Sequence, residues 1–349
     1  MNTLLTSRVP ANLSASSRQP PIAGSVRFDG WLSLVYLLLI SGGYLDAWAH
    51  QHGRVDDSFF TPWHGVMYSG LLLVLVVMVG VMLVNRYRGA SWQTVLPQGY
   101  QRSWMGAMLF AVGGVGDLIW HELFGIEKNF DALFSPTHLA IGLAFGLLVS
   151  GPLRAAWARP GRLVSWANLW PALLSLTCLI STFTLLMIPP YPLSGTLGSL
   201  RPGDLGEVGG PLGILVVAAL LVGPILLAVR RWKLPPGSLL LVWGINMIAM
   251  QMISWQVDSP WLPLVAMLLG AAVVEGIRLW LQPSANQPTR FHLFGFLAPV
   301  LLFGCYFAAL VLSGTMQWSI HKWTGTTFLA GVAGWLLSYL IVPPAWPEE

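Results

Sequence analysis

Apolar runs of about 20 residues recur along the whole chain, and a helix needs about that many to cross the hydrocarbon core of a bilayer. Ten such runs are legible, at 30–50, 63–85, 103–122, 137–157, 166–188, 211–229, 237–256, 261–281, 292–313 and 326–343. Lipid offers no partner to an open peptide group, so each run must satisfy its hydrogen bonds within itself. The expected fold is therefore all-α, a polytopic integral membrane helix bundle of about ten transmembrane helices. Composition agrees, since only 9% of the 349 residues are charged, against about 25% in soluble domains.

Basic residues stay on the cytoplasmic side of a membrane. With these spans, Arg54, Lys128, Arg201 and Lys322 fall on one side and the other fourteen Lys and Arg on the other. Both termini are thus expected in the cytoplasm, with the protein in a bacterial inner membrane. The net charge of +4 arises in these inner loops, which suits anionic lipid headgroups and not nucleic acid. Residues 1–28, rich in Ser, Pro and Arg, lack the apolar stretch of a secretory signal and read as a disordered cytoplasmic tail. Cys178 and Cys305 fall inside spans and imply no disulfide framework.

Ionisable groups inside a membrane cost roughly 2.5–3.5 kcal/mol each, so their placement points to function. Here they cluster in two matched segments. The first span ends "GGYLDAWAHQHG" and the second begins "FFTPWHGVMYSG"; the third ends "GVGDLIWHELFG" and the fourth begins "LFSPTHLAIG". Asp46 aligns with Asp117, His50 with His121 and His64 with His138, at offsets of 71, 71 and 74 residues. Such self-similarity over a two-helix unit reads as an internal repeat, parallel because both copies start on the same side. Residues four apart share one helix face, about 6 Å apart along the axis, so each Asp meets the His that follows it. Thr61 and Ser135 are candidate N-caps, followed by Pro62 and Pro136, which places His64 and His138 in first helical turns. The positive end of the helix dipole there favours the neutral imidazole that metals require.

Each hairpin thus offers one carboxylate and two imidazoles toward the outer face, leaving room for water or substrate. A lone histidine at a span end is usually an interfacial anchor, and a carboxylate can orient a histidine without any metal. Six residues in two matched sets argue for a site. A haem held by paired histidines would leave the repeated Asp unexplained. This ligand type suits iron, zinc, copper or manganese, and two packed hairpins could form one dinuclear centre or two separate ones.

The stretch "DAWAHQHGRVDDSFFTPWHGVMY" resembles the motif of the C subunit of the particulate methane and ammonia monooxygenases, the copper membrane monooxygenases. "DLIWHELFGIEKNFDALFSPTHLAIG" is similar to that family's second motif, which has Asn in place of Asp117 and a shorter loop. The resemblance covers roughly residues 30–150. It implies one or two copper ions within the membrane, at Asp46, His50 and His64 and at Asp117, His121 and His138, near chemistry that activates O2 to oxidise a small apolar substrate. It also implies partner subunits of the monooxygenase type; a homo-oligomer is the other assembly expected. Asp117 adds a negative charge and a harder ligand than the family's Asn, which leaves iron or zinc open. A non-catalytic copper uptake, storage or delivery protein would use the same ligands.

The chain divides by these readings into the 1–28 tail, a duplicated four-helix metal-binding region at 29–158, and a six-helix membrane region at 159–349. Small residues at 270–272 and 331–334 permit close helix packing. Gln51, His52 and Glu122, which adjoin the sets, are the better candidates to orient the ligands from outside, with Glu122 and His52 also placed to face water; Asp258 and His321 are further candidates that read more readily as solvated loop residues. Met247, Met250 and Met252 offer soft ligands, but a methionine stripe is more often core. Glu275 and Arg278, three apart, read as a structural ion pair.

Overall fold

The computed structural model describes residues 24–54, 59–125, 134–159, 165–194, 206–254 and 261–344. The chain forms α1 (Val26–Gln51), α2 (Pro62–Tyr87), α3 (Gln101–Phe124), α4 (Pro136–Val149), α5 (Gly151–Ala158), α6 (Trp166–Leu186), a 3-10 turn at Pro192–Ser194, α7 (Gly206–Arg231), α8 (Ser238–Ile253), α9 (Leu262–Leu281), α10 (Pro288–Leu312) and α11 (Ile320–Ile341). No strand occurs among the described residues. Nine helical units there are long and apolar enough to cross a membrane, with α4 and α5 counted as one. The apolar α8 has 16 residues and is about 24 Å long. The protein is therefore an integral membrane protein, a polytopic helical bundle.

Several boundaries differ from the sequence reading, three of them for a clear local reason. Ser150 ends α4 and Pro152 stands in the first turn of α5; proline has no N–H to continue the ladder, so the fourth run breaks there. Arg154 lies just beyond and donates to Ser150 Oγ at 2.6 Å, Ser103 Oγ at 3.0 Å and the Gly99 carbonyl at 2.9 Å. The last helix starts at Ile320, six residues before the expected 326, because Ser319 Oγ accepts the N–H of Lys322 at 3.3 Å. At the other end, Ser25 caps α1 from Val26, so the tail expected at 1–28 is helical in its last residues; residues 1–23 lie outside the described part.

Asp29, in the first turn of α1, accepts from Tyr100 Oη at 2.7 Å and from Arg159. This cluster ties the start of α1 to the residue before α3 and the residue after α5. Burial and the Asp29 charge push the Tyr100 phenol well above its ordinary range, which keeps it a donor.

Helices α1 and α2 pack as one hairpin and α3 and α4 as another, and α6 packs on α1, α4 and α5 as well as on α7 and α8. The α1–α2 crossing is set at Gly42. A Cβ there would lie 2.4 Å from the backbone nitrogen of Met67, so only glycine lets the two backbones meet. Asp46 lies one turn beyond Gly42 and His64 one turn before Met67, toward the same end of the bundle. Small residues do the same for α10 and α11, where a Cβ on Gly334 would lie 2.2 Å from the Gly295 carbonyl oxygen.

Candidate metal centre

In the first hairpin, Asp46 Oδ2 lies 3.8 Å from His50 Nε2, one helical turn on. Thr61 caps α2 by accepting the His64 N–H at 3.2 Å, which fixes His64 in the first turn and sets its Nε2 3.3 Å from Asp46 Oδ1. His64 Nδ1 lies 2.6 Å from the Phe59 carbonyl oxygen. A carbonyl only accepts, so Nδ1 carries the hydrogen and Nε2 of the neutral ring presents its lone pair to the carboxylate. Two lone pairs facing each other call for a cation between them, either a proton or a metal ion.

The second hairpin repeats this grammar. Asp117 Oδ2 is 3.6 Å from His121 Nε2 and Oδ1 is 3.3 Å from His138 Nε2, and Ser135 caps the helix that carries His138. His121 Nδ1 lies 3.4 Å from the Gly125 carbonyl oxygen, which favours the same tautomer. The Asp117 side chain is 2% exposed. One ligand atom from each of Asp117, His121 and His138 lies within 4.8 Å of the others, a spacing that could hold a metal ion. Asp46 and His50 are more open, at 21% and 24% side-chain exposure, and together with His64 they do not form such a close group.

Both sets face one cavity of about 510 Å³. Asp46, His50, Gln51 and His64 line it from the first hairpin, and Asp117 and His138 from the second. The rest of the wall is mostly apolar, with Ile141 and Phe145 of α4, Leu185 and Leu186 of α6, and Ile188. Phe59 links the two sets, its ring 4.8 Å from that of His64 and 6.2 Å from that of His121. Tyr68 packs beside it, with a buried hydroxyl that has no hydrogen-bond partner among the described residues and fills the space left by the missing side chain of Gly114.

Of the outer candidates, Gln51 lines the cavity. His52 stacks on Trp48 and bonds its carbonyl at 2.8 Å. Glu122 is exposed, as is His321 at the start of α11, and Asp258 lies outside the described residues. Met247 and Met250 are fully buried core, whereas Met67 lines the cavity. Sequence reasoning passed over Thr137, which donates to Asp117 Oδ1 at 2.7 Å; it stood in plain view inside "SPTH". Thr137→Val keeps the shape and removes this donor. It is expected to weaken metal binding about 10–100-fold without lowering the melting temperature of the metal-free protein by more than a few degrees, measured by titration calorimetry and thermal unfolding. No protein-family model, curated protein or solved structure matches the chain.

Proposed function

We propose that this membrane protein binds copper at the two Asp/His/His sets, in a duplicated hairpin pair whose ligands face the outer, periplasmic leaflet. In this reading it acts as an oxygenase, or as the metal-bearing subunit of one, on a small apolar substrate that arrives through the lipid. The observation that carries the reading is the close Asp117, His121 and His138 group set beside a cavity whose remaining wall is largely apolar.

Copper bound there would supply a redox centre able to activate O2. The protein's own part is to hold and to exclude. Carbonyls of Phe59 and Gly125 hold His64 and His121 with Nε2 turned toward the carboxylates, and Thr137 steadies Asp117. Ile141, Phe145, Leu185 and Leu186 offer the substrate a dry wall. Partner subunits of the monooxygenase type, or further copies of the chain, would complete the assembly.

The test is metal content by mass spectrometry on the detergent-purified full chain, beside Asp46→Ala and His121→Ala, with electron paramagnetic resonance on the same samples. One or two copper ions per chain, lost separately in the two variants, together with O2- and reductant-dependent oxidation, is the expected result. Copper that exchanges without turnover would replace the oxygenase with a storage or delivery role. Stoichiometric iron or zinc would sink the copper assignment, and no metal would leave the Asp/His sets structural.

A further inference from the structure

A second cavity, also of about 510 Å³, lies between α10 and α11, lined by Thr289, His292, Leu293, Phe296, Phe328, Val332, Trp335 and Tyr339. Leu293, Phe328 and Trp335 are exposed apolar side chains, so this groove opens on the lipid-facing side of the bundle. His292 is its one strongly polar group. It is 8% exposed and is the fifth residue of α10, about 6 Å in from the helix start.

The hydrogen bonds fix what His292 can do. Ser338 Oγ donates its single hydrogen to the Trp335 carbonyl at 2.5 Å, so it can only accept from His292 Nδ1, 2.8 Å away. The ring is further held by parallel stacking on Tyr339, at 3.8 Å between centroids and 6° between planes. With Nδ1 as donor, Nε2 of the neutral ring is an acceptor, and no described residue bonds it. An acceptor left bare against hydrocarbon is costly, and the wall that His292 shares is mostly apolar. An apolar occupant that brings one donor satisfies that acceptor. No Asp, Glu, Lys or Arg lines the groove, which leaves a charged headgroup uncompensated there.

We propose that this groove binds a lipid alcohol, an apolar chain or ring system with one hydroxyl, whose O–H donates to His292 Nε2 while its body lies along Phe296, Phe328 and Val332. Photolabelling of the full chain in lipid nanodiscs tests it, using a diazirine-bearing long-chain alcohol and its methyl ether. The alcohol is expected to label α10 and α11 about fivefold more than the ether, the worth of one net hydrogen bond. His292→Phe, which keeps the ring stack, and Ser338→Ala, which frees the imidazole to change tautomer, should each bring the ratio close to one while thermal unfolding shows a folded chain. Equal labelling by alcohol and ether in the unaltered protein, or a preference that survives His292→Phe, would overturn the assignment.

Discussion

Asp117→Ala is expected to abolish metal retention at its own site, lowering affinity by more than about 100-fold. Loss of a residue that merely orients a ligand typically costs 10–100-fold, and Asp117 is the carboxylate on which both imidazoles of its set converge, at 3.6 and 3.3 Å. The measurement is thermal unfolding with and without added metal. An ion at 100 times its dissociation constant raises stability by about 2.7 kcal/mol, and that increment should vanish in the variant. Asp117→Asn should fall between the two, because an amide oxygen can still accept from Thr137 while the formal charge is gone. Lowering the pH should mimic the loss in the unaltered protein, since protons compete for the same nitrogen and oxygen atoms. A variant that kept the full metal-induced increment would show that the ion binds elsewhere.

The two hairpins differ in a way that bears on their roles. Asp117 is almost wholly enclosed, at 2% exposure, whereas Asp46 is 21% exposed and His50 24%. The Asp117 set is the closer preformed group of ligands, whereas Asp46 and His50 both line the shared cavity with more exposed side chains. A desolvated carboxylate gains more from a cation than an exposed one does. If both sets bind metal as proposed, tighter retention at Asp117 and easier exchange at Asp46 are expected.

The spans were legible because length and apolarity form a one-dimensional signal, and the two Asp/His/His sets because i, i+4 spacing and N-caps are local. The shared cavity was not. It depends on α1 and α2 meeting at Gly42 and on α6 lending Leu185 and Leu186 to the wall, contacts between segments far apart in the chain. The tautomers of His64 and His121 were hidden for another reason: the Phe59 and Gly125 groups that fix them are backbone carbonyls, which leave no trace in residue type. Ser150 was missed because Gly151 and Pro152 sit inside an otherwise apolar run, and Ser319 because His321 and Lys322 made its helix start look like loop.

Glu275→Ala should produce the largest loss of stability in the second half of the chain, about 3–5 kcal/mol, the usual result of removing one partner of a buried ion pair. Glu275 and Arg278 are 6% and 8% exposed and lie 2.6 Å apart, as their spacing on α9 leads one to expect. The structure adds that this pair joins helices. Glu275 also accepts from the N–H groups of Gly237 at 2.8 Å and Leu239 at 3.3 Å, capping the start of α8. Arg278 donates to the carbonyls of Leu234 at 3.1 Å and Pro235 at 3.2 Å. Alanine would thus leave a buried guanidinium and two helix-start donors without their acceptor. The paired variant Glu275→Met with Arg278→Leu should recover much of the guanidinium's share of the loss, since an apolar pair of similar size carries no desolvation cost, but not the share due to the uncapped α8. Unfolding in mixed detergent micelles would separate the two contributions. Metal content should remain at the wild-type value in both variants, because neither side chain lines the cavity that Asp46 and Asp117 face.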